Sequence, residues 1–339
     1  MTNVSILGAG AFGTALAIYA GGLGHRVRVW AFDDGLPEAV AAQGENSLYL
    51  PGFPVSEEIG FTNEIAEALA EADLVMFVVP SAYMRSVSTA AAPWIPDEAL
   101  ITSTAKGIES ESLATMSGVL EETLPSRRSR LTFLSGPSFA RDVASGLPAD
   151  VALAASDIDV ARSVQSILHS PRFRVYTSDD VIGVELGGAL KNVIAVACGA
   201  AHGLGMGASA LASLMTRGLA EIARLGVALG ANPLTFLGLA GVGDLTLTCN
   251  GELSRNRQLG LRLARGERAE EIAASQKAVA EGYMSARPVH RLAGREGVEM
   301  PIAEAVYRVC CEGADVREEA AALMQREMKD ELAGVFAPR

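Results

Sequence analysis

The chain has 339 residues, 49% hydrophobic and 20% charged, a balance that excludes a disordered or fibrous protein and, at roughly 100 to 200 residues per domain, provides for two domains with cores of their own. Its formal net charge of −12 argues against a general nucleic-acid binder, so an anionic ligand has to be met by local cations. Cys198, Cys249, Cys310 and Cys311 form no CxxC pair and the four histidines are scattered, so neither a disulfide framework nor a metal site is indicated.

The N-terminus, MTNVSILGAGAFG, has no basic segment leading into an apolar stretch and a small-residue cleavage site; the expected location is the cytoplasm. Val4–Leu7 reads as a short strand ended by Gly8, Ala11–Leu23 as an Ala-rich helix, and Val27–Trp30 as a second strand. Further strands are expected at Leu74–Val79, Ala99–Thr102, Leu131–Ser135 and Val151–Ala155. Segments such as Asn63–Ala70 and Ser110–Leu124 between them can be helical. This alternation predicts an α/β fold, a doubly wound parallel sheet of the Rossmann type. After about Ser178 the strand-like runs stop, and long Ala-, Leu-, Arg- and Glu-rich stretches predict an all-helical second domain. The expected division is 1–178 and 179–339, packed directly, with no Pro/Ser-rich linker. The longest uncharged run, 192–216, carries Gly199, Gly203, Gly205, Gly207, Asn192 and His202, which predicts a helix of a globular protein and no membrane span.

Gly8, Gly10 and Gly13 form G-x-G-x-x-G at the turn from first strand to first helix, the arrangement that lets a pyrophosphate approach the backbone and the helix N-terminus. Asp33, 20 residues after Gly13 and at the end of the second strand, is placed to bind the adenosine ribose hydroxyls. Flavin nucleotides use the same fingerprint, and glycines with an acidic pair also make ordinary turns.

Only four lysines (106, 191, 277, 329) stand against 24 arginines. A lysine amine can be tuned by burial to give and take a proton, which arginine cannot. Lys191 lies in the apolar segment ELGGALKN, which makes it the first candidate for a general acid/base; a lysine snorkelling from a helix edge is the alternative. Lys106 follows the strand ending near Thr102, at the carboxyl edge where open α/β sheets bind ligands. Asp244 and Thr248 share a face if their segment is helical, or Asp244 caps that helix. Ser254-Arg-Asn-Arg257 opens a helix with Ser254 at the N-cap, which reads as a phosphate site at Arg255 or as a solvated basic turn.

Taken together, GAGAFGTALA, Asn46-Ser-Leu-Tyr-Leu-Pro51, STAKGIE around Lys106, GPSFAR from Gly136, ELGGALKNVIAVACGAAHGLGMG, the segment from TRGLAEIARLG to GVGDLTLTC, and SRNRQLG resemble the bacterial NAD(P)-dependent glycerol-3-phosphate dehydrogenases over nearly the whole chain. The resemblance implies a Rossmann-type domain with an all-helical, 6-phosphogluconate dehydrogenase-like second domain. It also implies reduction of dihydroxyacetone phosphate to sn-glycerol 3-phosphate for phospholipid synthesis, with NAD, or NADP as a possibility. By that likeness Lys191, Asn192, Asp244 and Thr248 are catalytic. Lys106, Gly136, Ser138, Ser254, Arg255 and Asn256 join Lys191 and Asp244 on the substrate. Gly8, Gly10, Ala11, Phe12, Gly13, Phe32, Asp33, Lys106, Ala140, Arg255, Val279 and Glu281 line the cofactor. No metal is required, the partner is a phosphorylated small molecule, and the assembly implied is a homodimer. Three departures stand out: Ala11-Phe12 for the usual Ser-Trp, Phe32 for a frequent basic residue, and Gly207-Ala-Ser-Ala210 for a more polar stretch. With Asp33 and Asp34 closing the second strand and no cation at Phe32, NADH is the expected preference. A β-hydroxyacid dehydrogenase, or a nucleotide-sensing protein without turnover, are the competing readings.

Overall fold

The computed structural model describes residues 1–275, 280–327 and 331. The chain divides into two compact units, one made of Met1–Ala105 and Met116–Val181, the other of Lys106–Thr115 and Ile182–Arg339.

The first unit is built on one sheet of eight strands: β1 (Asn3–Leu7), β2 (Arg26–Trp30), β3 (Gly60–Thr62), β4 (Leu74–Phe77), β5 (Leu100–Ser103), β6 (Leu131–Ser135), β7 (Ala149–Ala154) and β8 (Phe173–Ser178). Their order is β3-β2-β1-β4-β5-β6-β7-β8. The helices are α1 (Ala11–Gly22), α2 (Leu36–Gln43), α3 (Ile65–Leu69), α4 (Met84–Ala91), α5 (Met116–Thr123), α6 (Ala140–Ala144) and α7 (Ile158–Leu168). The strands near the centre, with Ile6, Leu74, Met76 and Ile101 wholly buried, are continuous apolar runs because helices cover both faces. α1 buries Gly13, Thr14, Ala15, Leu16, Ala17 and Ala20, mostly small side chains, which lets its backbone lie close to β1.

Four expectations need correction. The sheet is not wholly parallel: β6 and β7 pair antiparallel, because the Gly136–Pro148 connection holds only the five-residue α6, which packs beside α1 instead of crossing the sheet. Two strands went unread, β3, with three residues, and β8, where Phe173 and Val175 are buried while Arg174 and Tyr176 face out. The Ser110–Leu124 helix shrinks to α5, since Leu113 takes a left-handed φ of 61° and Ile108 pairs with Thr115. The segment 106–115 belongs to the second unit, where Ile108 is buried in its core and Arg291 donates to the Ser110 carbonyl at 2.6 Å, so the division is not a single cut at 178/179.

From Ile182 on, the elements of the second unit are all helical among the described residues. Its helices are α8 (Val181–Gly203), α9 (Gly207–Ala228), α10 (Asp244–Asn250), α11 (Arg255–Ala264), α12 (Ala269–Ala274), α13 (Glu281–Glu296), α14 (Pro301–Tyr307) and α15 (Val316–Met324). α8 is long and apolar enough to cross a membrane by length and composition, yet 83% of its most apolar window is buried within the protein, which is the pattern of a central core helix. Backbone meets backbone around it. A Cβ on Gly260 of α11 would lie 2.0 Å from the Val196 carbonyl oxygen, and one on Gly282 of α13 would lie 2.5 Å from that of Asn192.

The tightest approach in the first unit is at Gly13, where a Cβ would sit 1.8 Å from the Gly8 carbonyl oxygen. Gly13→Ala must push α1 off β1, so it is expected to cost about 3 kcal/mol of stability, measured as a fall in the urea midpoint with an unchanged slope.

Candidate active site

Two sets of functional side chains stand out, one in each unit. In the first, β1 ends in Gly8, whose φ of 123° is open to glycine and whose Cβ would strike the Val78 carbonyl oxygen at 2.4 Å. Gly10 is the N-cap of α1, with no side-chain cap, no acidic residue in the first turn and nothing within 4 Å of a Cβ built on it. An uncapped helix start with open space over it fits the pyrophosphate of a dinucleotide. Ala11, Phe12 and Gly13 form that first turn, and Ala140 opens α6, which packs alongside α1. Asp33 follows β2 and borders a cavity of about 230 Å³. Phe32 beside it is 81% exposed, its ring edge-on to Trp30 at 6.3 Å. Gly136 and Ser138 follow β6, with Ser138 Oγ donating to the Gly136 carbonyl at 3.1 Å.

In the second unit Lys106, Lys191, Asp244 and Thr248 meet. Asp244 opens α10 directly after a π-turn at Leu239–Gly243, so its carboxylate lies at the positive end of the helix. It does not cap the helix. One carboxylate oxygen, Oδ1, takes Lys191 Nζ at 2.9 Å and the other, Oδ2, takes Lys106 Nζ at 2.6 Å. Lys191 Nζ also donates to Thr248 Oγ1 at 2.6 Å, and that hydroxyl donates to the Asp244 main-chain carbonyl at 2.7 Å. Lys191, Asp244 and Thr248 are all buried. Two of the three Lys191 donors are thereby used, which leaves the third for a ligand.

Burial lowers the Lys191 ammonium to about 8; Asp244 opposes that shift, and the neighbouring Lys106 charge reinforces it. Burial alone would raise Asp244, but Lys106 and Lys191 outweigh it and hold the carboxyl below its ordinary range. The adjacent Cys249 thiol, raised first by its hydrogen bond with Cys198 and then by burial, stays neutral.

Beside this group, Asn256 Nδ2 donates to Asn192 Oδ1 at 2.8 Å and its Oδ1 accepts from the Gly282 amide at 2.8 Å, next to Glu281 at the start of α13. The start of α11 is therefore tied to the residue after Lys191. Ser254 is its N-cap, accepting from the Arg257 amide at 3.2 Å, and Arg255 is exposed in its first turn. Val279 lies outside the described residues. Three residues that the sequence reading did not single out also matter: Asn46, Tyr49 and Asn63, all hydrogen-bonded around the glycine turn and Asp33. Asn46 and Tyr49 lay in the Asn46–Pro51 motif, whereas Asn63 carried no signal beyond opening the helix-compatible Asn63–Ala70 segment.

A glycine-rich turn at the carboxyl edge of a doubly wound sheet and a buried lysine with a lowered pKa are the features expected of a nicotinamide-dependent dehydrogenase. Residues 3–161 match the family model described as NAD-dependent glycerol-3-phosphate dehydrogenase N-terminus, and residues 180–321 match the C-terminus of the same family. Glycerol-3-phosphate dehydrogenase (NAD(P)+) of Syntrophotalea carbinolica is 46% identical over 97% of this chain and 99% of its own, and that of Anaeromyxobacter dehalogenans is 48% identical over 97% and 100%. The crystal structure of the Coxiella burnetii glycerol-3-phosphate dehydrogenase superposes with a TM-score of 0.91 at 36% identity, covering 96% of this chain and 99% of that one. The chain belongs to the NAD(P)-dependent glycerol-3-phosphate dehydrogenase family. A ketopantoate reductase from Ralstonia eutropha, 17% identical with a TM-score of 0.61, shares the fold alone.

Asp244→Asn removes the carboxylate that two ammonium groups share. It is expected to cost about 3 kcal/mol or more of stability at pH 7, because two charges are left without their partner. Without the carboxylate the folded-state Lys191 titrates below 8, while the unfolded lysine stays near 10.5, so the unfolded chain binds more protons in that window. The variant therefore regains stability as pH rises from 8 to 10, in urea melts run across that range. A loss independent of pH would assign Asp244 to packing instead.

Proposed function

We propose that this protein catalyses the reversible reduction of dihydroxyacetone phosphate to sn-glycerol 3-phosphate, the backbone of glycerophospholipids, with NADH or NADPH as reductant. The observation that carries the reading is the buried Lys191, held by Asp244 and Thr248 with one donor to spare and titrating near neutrality. The Gly8–Gly13 turn would hold the pyrophosphate of the dinucleotide, whose nicotinamide would supply the hydride for the carbonyl carbon. Lys191 then gives its proton to the carbonyl oxygen, where negative charge develops, and in the reverse direction takes the proton from the alcohol. Asp244 and Thr248 fix the direction of the ammonium. Lys106 adds a second positive charge, and Gly136 and Ser138 join it in contacting substrate. Ser254, Arg255 and Asn256 receive the phosphate: a guanidinium at a helix N-terminus is a fit partner for a dianion. Asn192 sets Asn256, and Ala140, Val279 and Glu281 line the cofactor. Four free cysteines and the apolar, Gly-rich second half support a cytoplasmic homodimer.

Lys191→Met is expected to lower kcat by at least about 10², the scale of a lost proton donor, with NADH affinity in a fluorescence titration unchanged. In the wild type kcat/KM for reduction falls as pH rises through about 8, because the acid form of Lys191 is consumed, and kcat/KM for oxidation rises through the same point. A reduction profile flat to pH 10 would contradict the assignment.

Arg255→Ala is expected to raise KM for dihydroxyacetone phosphate steeply and to lower kcat as well, since phosphate binding energy aligns the carbonyl. Unphosphorylated dihydroxyacetone, a poor substrate, is expected to be nearly unaffected. Equal damage to both substrates would move the phosphate site elsewhere, with Lys106 next in line.

A further inference from the structure

The Asn46–Pro51 segment touches both halves of the dinucleotide site. Asn46 is fully buried; its Nδ2 donates to the Ala9 carbonyl at 2.8 Å and to Thr14 Oγ1 at 2.9 Å, inside and just after the glycine turn. Its Oδ1 accepts from the Tyr49 amide at 3.2 Å, and the Tyr49 hydroxyl donates to Asp33 Oδ2 at 2.8 Å. The Asp33 main chain is fixed independently, since its carbonyl accepts from Asn63 Nδ2 at 3.0 Å. One short segment thus links the pyrophosphate turn to the acidic residue after β2. Burial, then Asp33 itself, pushes the Tyr49 phenol up to about 12, so it remains a donor at every working pH.

The charge around Asp33 is one-sided. The cavity beside it is also lined by Asp34, Glu45 and Ser47, and among the described residues no basic side chain lines it. Arg28, on β2, points elsewhere: its guanidinium donates to the Glu67 carbonyl at 3.0 Å and to that of Ala70 at 3.3 Å.

We propose that Tyr49 is a positioning residue that pins the Asp33 carboxylate toward the ribose hydroxyls of NAD(H), and that this pinned carboxylate, with Asp34 and Glu45, makes the protein reject the 2′-phosphate of NADP(H). The proposal rests on the nicotinamide site described above. A carboxylate held from one side cannot swing away from an incoming phosphate, and no cation nearby offsets the repulsion. Its free lone pairs stay directed at the two hydroxyls, where charge-assisted hydrogen bonds are strongest.

The test is binding, without any carbonyl substrate: the full-length protein is titrated with NADH and with NADPH by nicotinamide fluorescence. Wild type is expected to bind NADH about a hundredfold tighter than NADPH. Tyr49→Phe is expected to weaken NADH about tenfold and NADPH less than about threefold. In an Asp33→Asn background, Tyr49→Phe should change neither affinity, because its target has lost its charge. Asp33→Asn, which keeps Tyr49, should by itself narrow the ratio, and carries the test if the Tyr49 variant does not fold. Equal loss of both nucleotides in Tyr49→Phe, or the same loss in the Asp33→Asn background, overturns the positioning role. Equal affinities in the wild type overturn the selection. Binding of neither nucleotide would instead refute the glycine-turn reading, and this proposal with it.

Discussion

Two ammonium groups share one buried carboxylate, and the site in the second unit is arranged around that shared contact. Each Asp244 oxygen is bonded to a different lysine. Burying charges is costly unless they are paired, and here one carboxylate pairs with both ammonium groups. Part of the attraction Asp244 exerts on Lys191 is cancelled by Lys106, so burial prevails and Lys191 gives up its proton near neutrality. Arginine could supply the charge in this place but not the proton.

Holding the trio is a matter of backbone. α8 carries Lys191 and Asn192 through the core with α11 and α13 pressed against its main chain at Gly260 and Gly282, approaches that no larger residue allows. The π-turn before α10 makes Asp244 its first residue, and a single helical turn then brings Thr248 back onto the Asp244 carbonyl. Asn256 spans from Asn192 to the Gly282 amide, so three helix segments share one hydrogen-bonded link next to the lysine. Cys249 adds volume and no reactivity, since its hydrogen bond with Cys198 and its burial keep the thiol protonated.

Much of this was legible in the chain because it lies in spacing that has a physical cause. G-x-G-x-x-G after an apolar strand, an acidic residue 20 positions on, and a lysine in an otherwise apolar helix each state their own requirement. What escaped depends on tertiary geometry. Nothing in the local pattern says that 106–115 leaves the first unit, because the reason is the burial of Ile108 in a core 70 residues and more downstream. The reversed β7 follows from how a 13-residue connection packs, not from the strand itself. β8 did display its period of two, but with Arg174 and Tyr176 on the outer face it lacked a continuous apolar run. Asp244 was readable as a helix cap or as a helix-face partner of Thr248, and only the two lysine nitrogens show that its carboxylate is taken by them and not by the helix amides.

An acidic protein with anionic ligands needs to put its few cations where geometry multiplies them, and the two units do so differently. In the first, the turn into α1 carries no lysine or arginine and no side-chain cap, so any attraction for an anion there would depend on a backbone conformation that Gly8 and Gly13 permit. The second uses formal charge, with the buried Lys191 ammonium and Lys106 both held on Asp244. With attraction supplied locally in both places, the surrounding negative surface costs little affinity: exposed charges more than about 10 Å away are screened at physiological salt. Acidic residues at the adenosine end are then free to act in selection, where a repulsive group at the right distance discriminates between ligands that attraction to a shared pyrophosphate cannot tell apart.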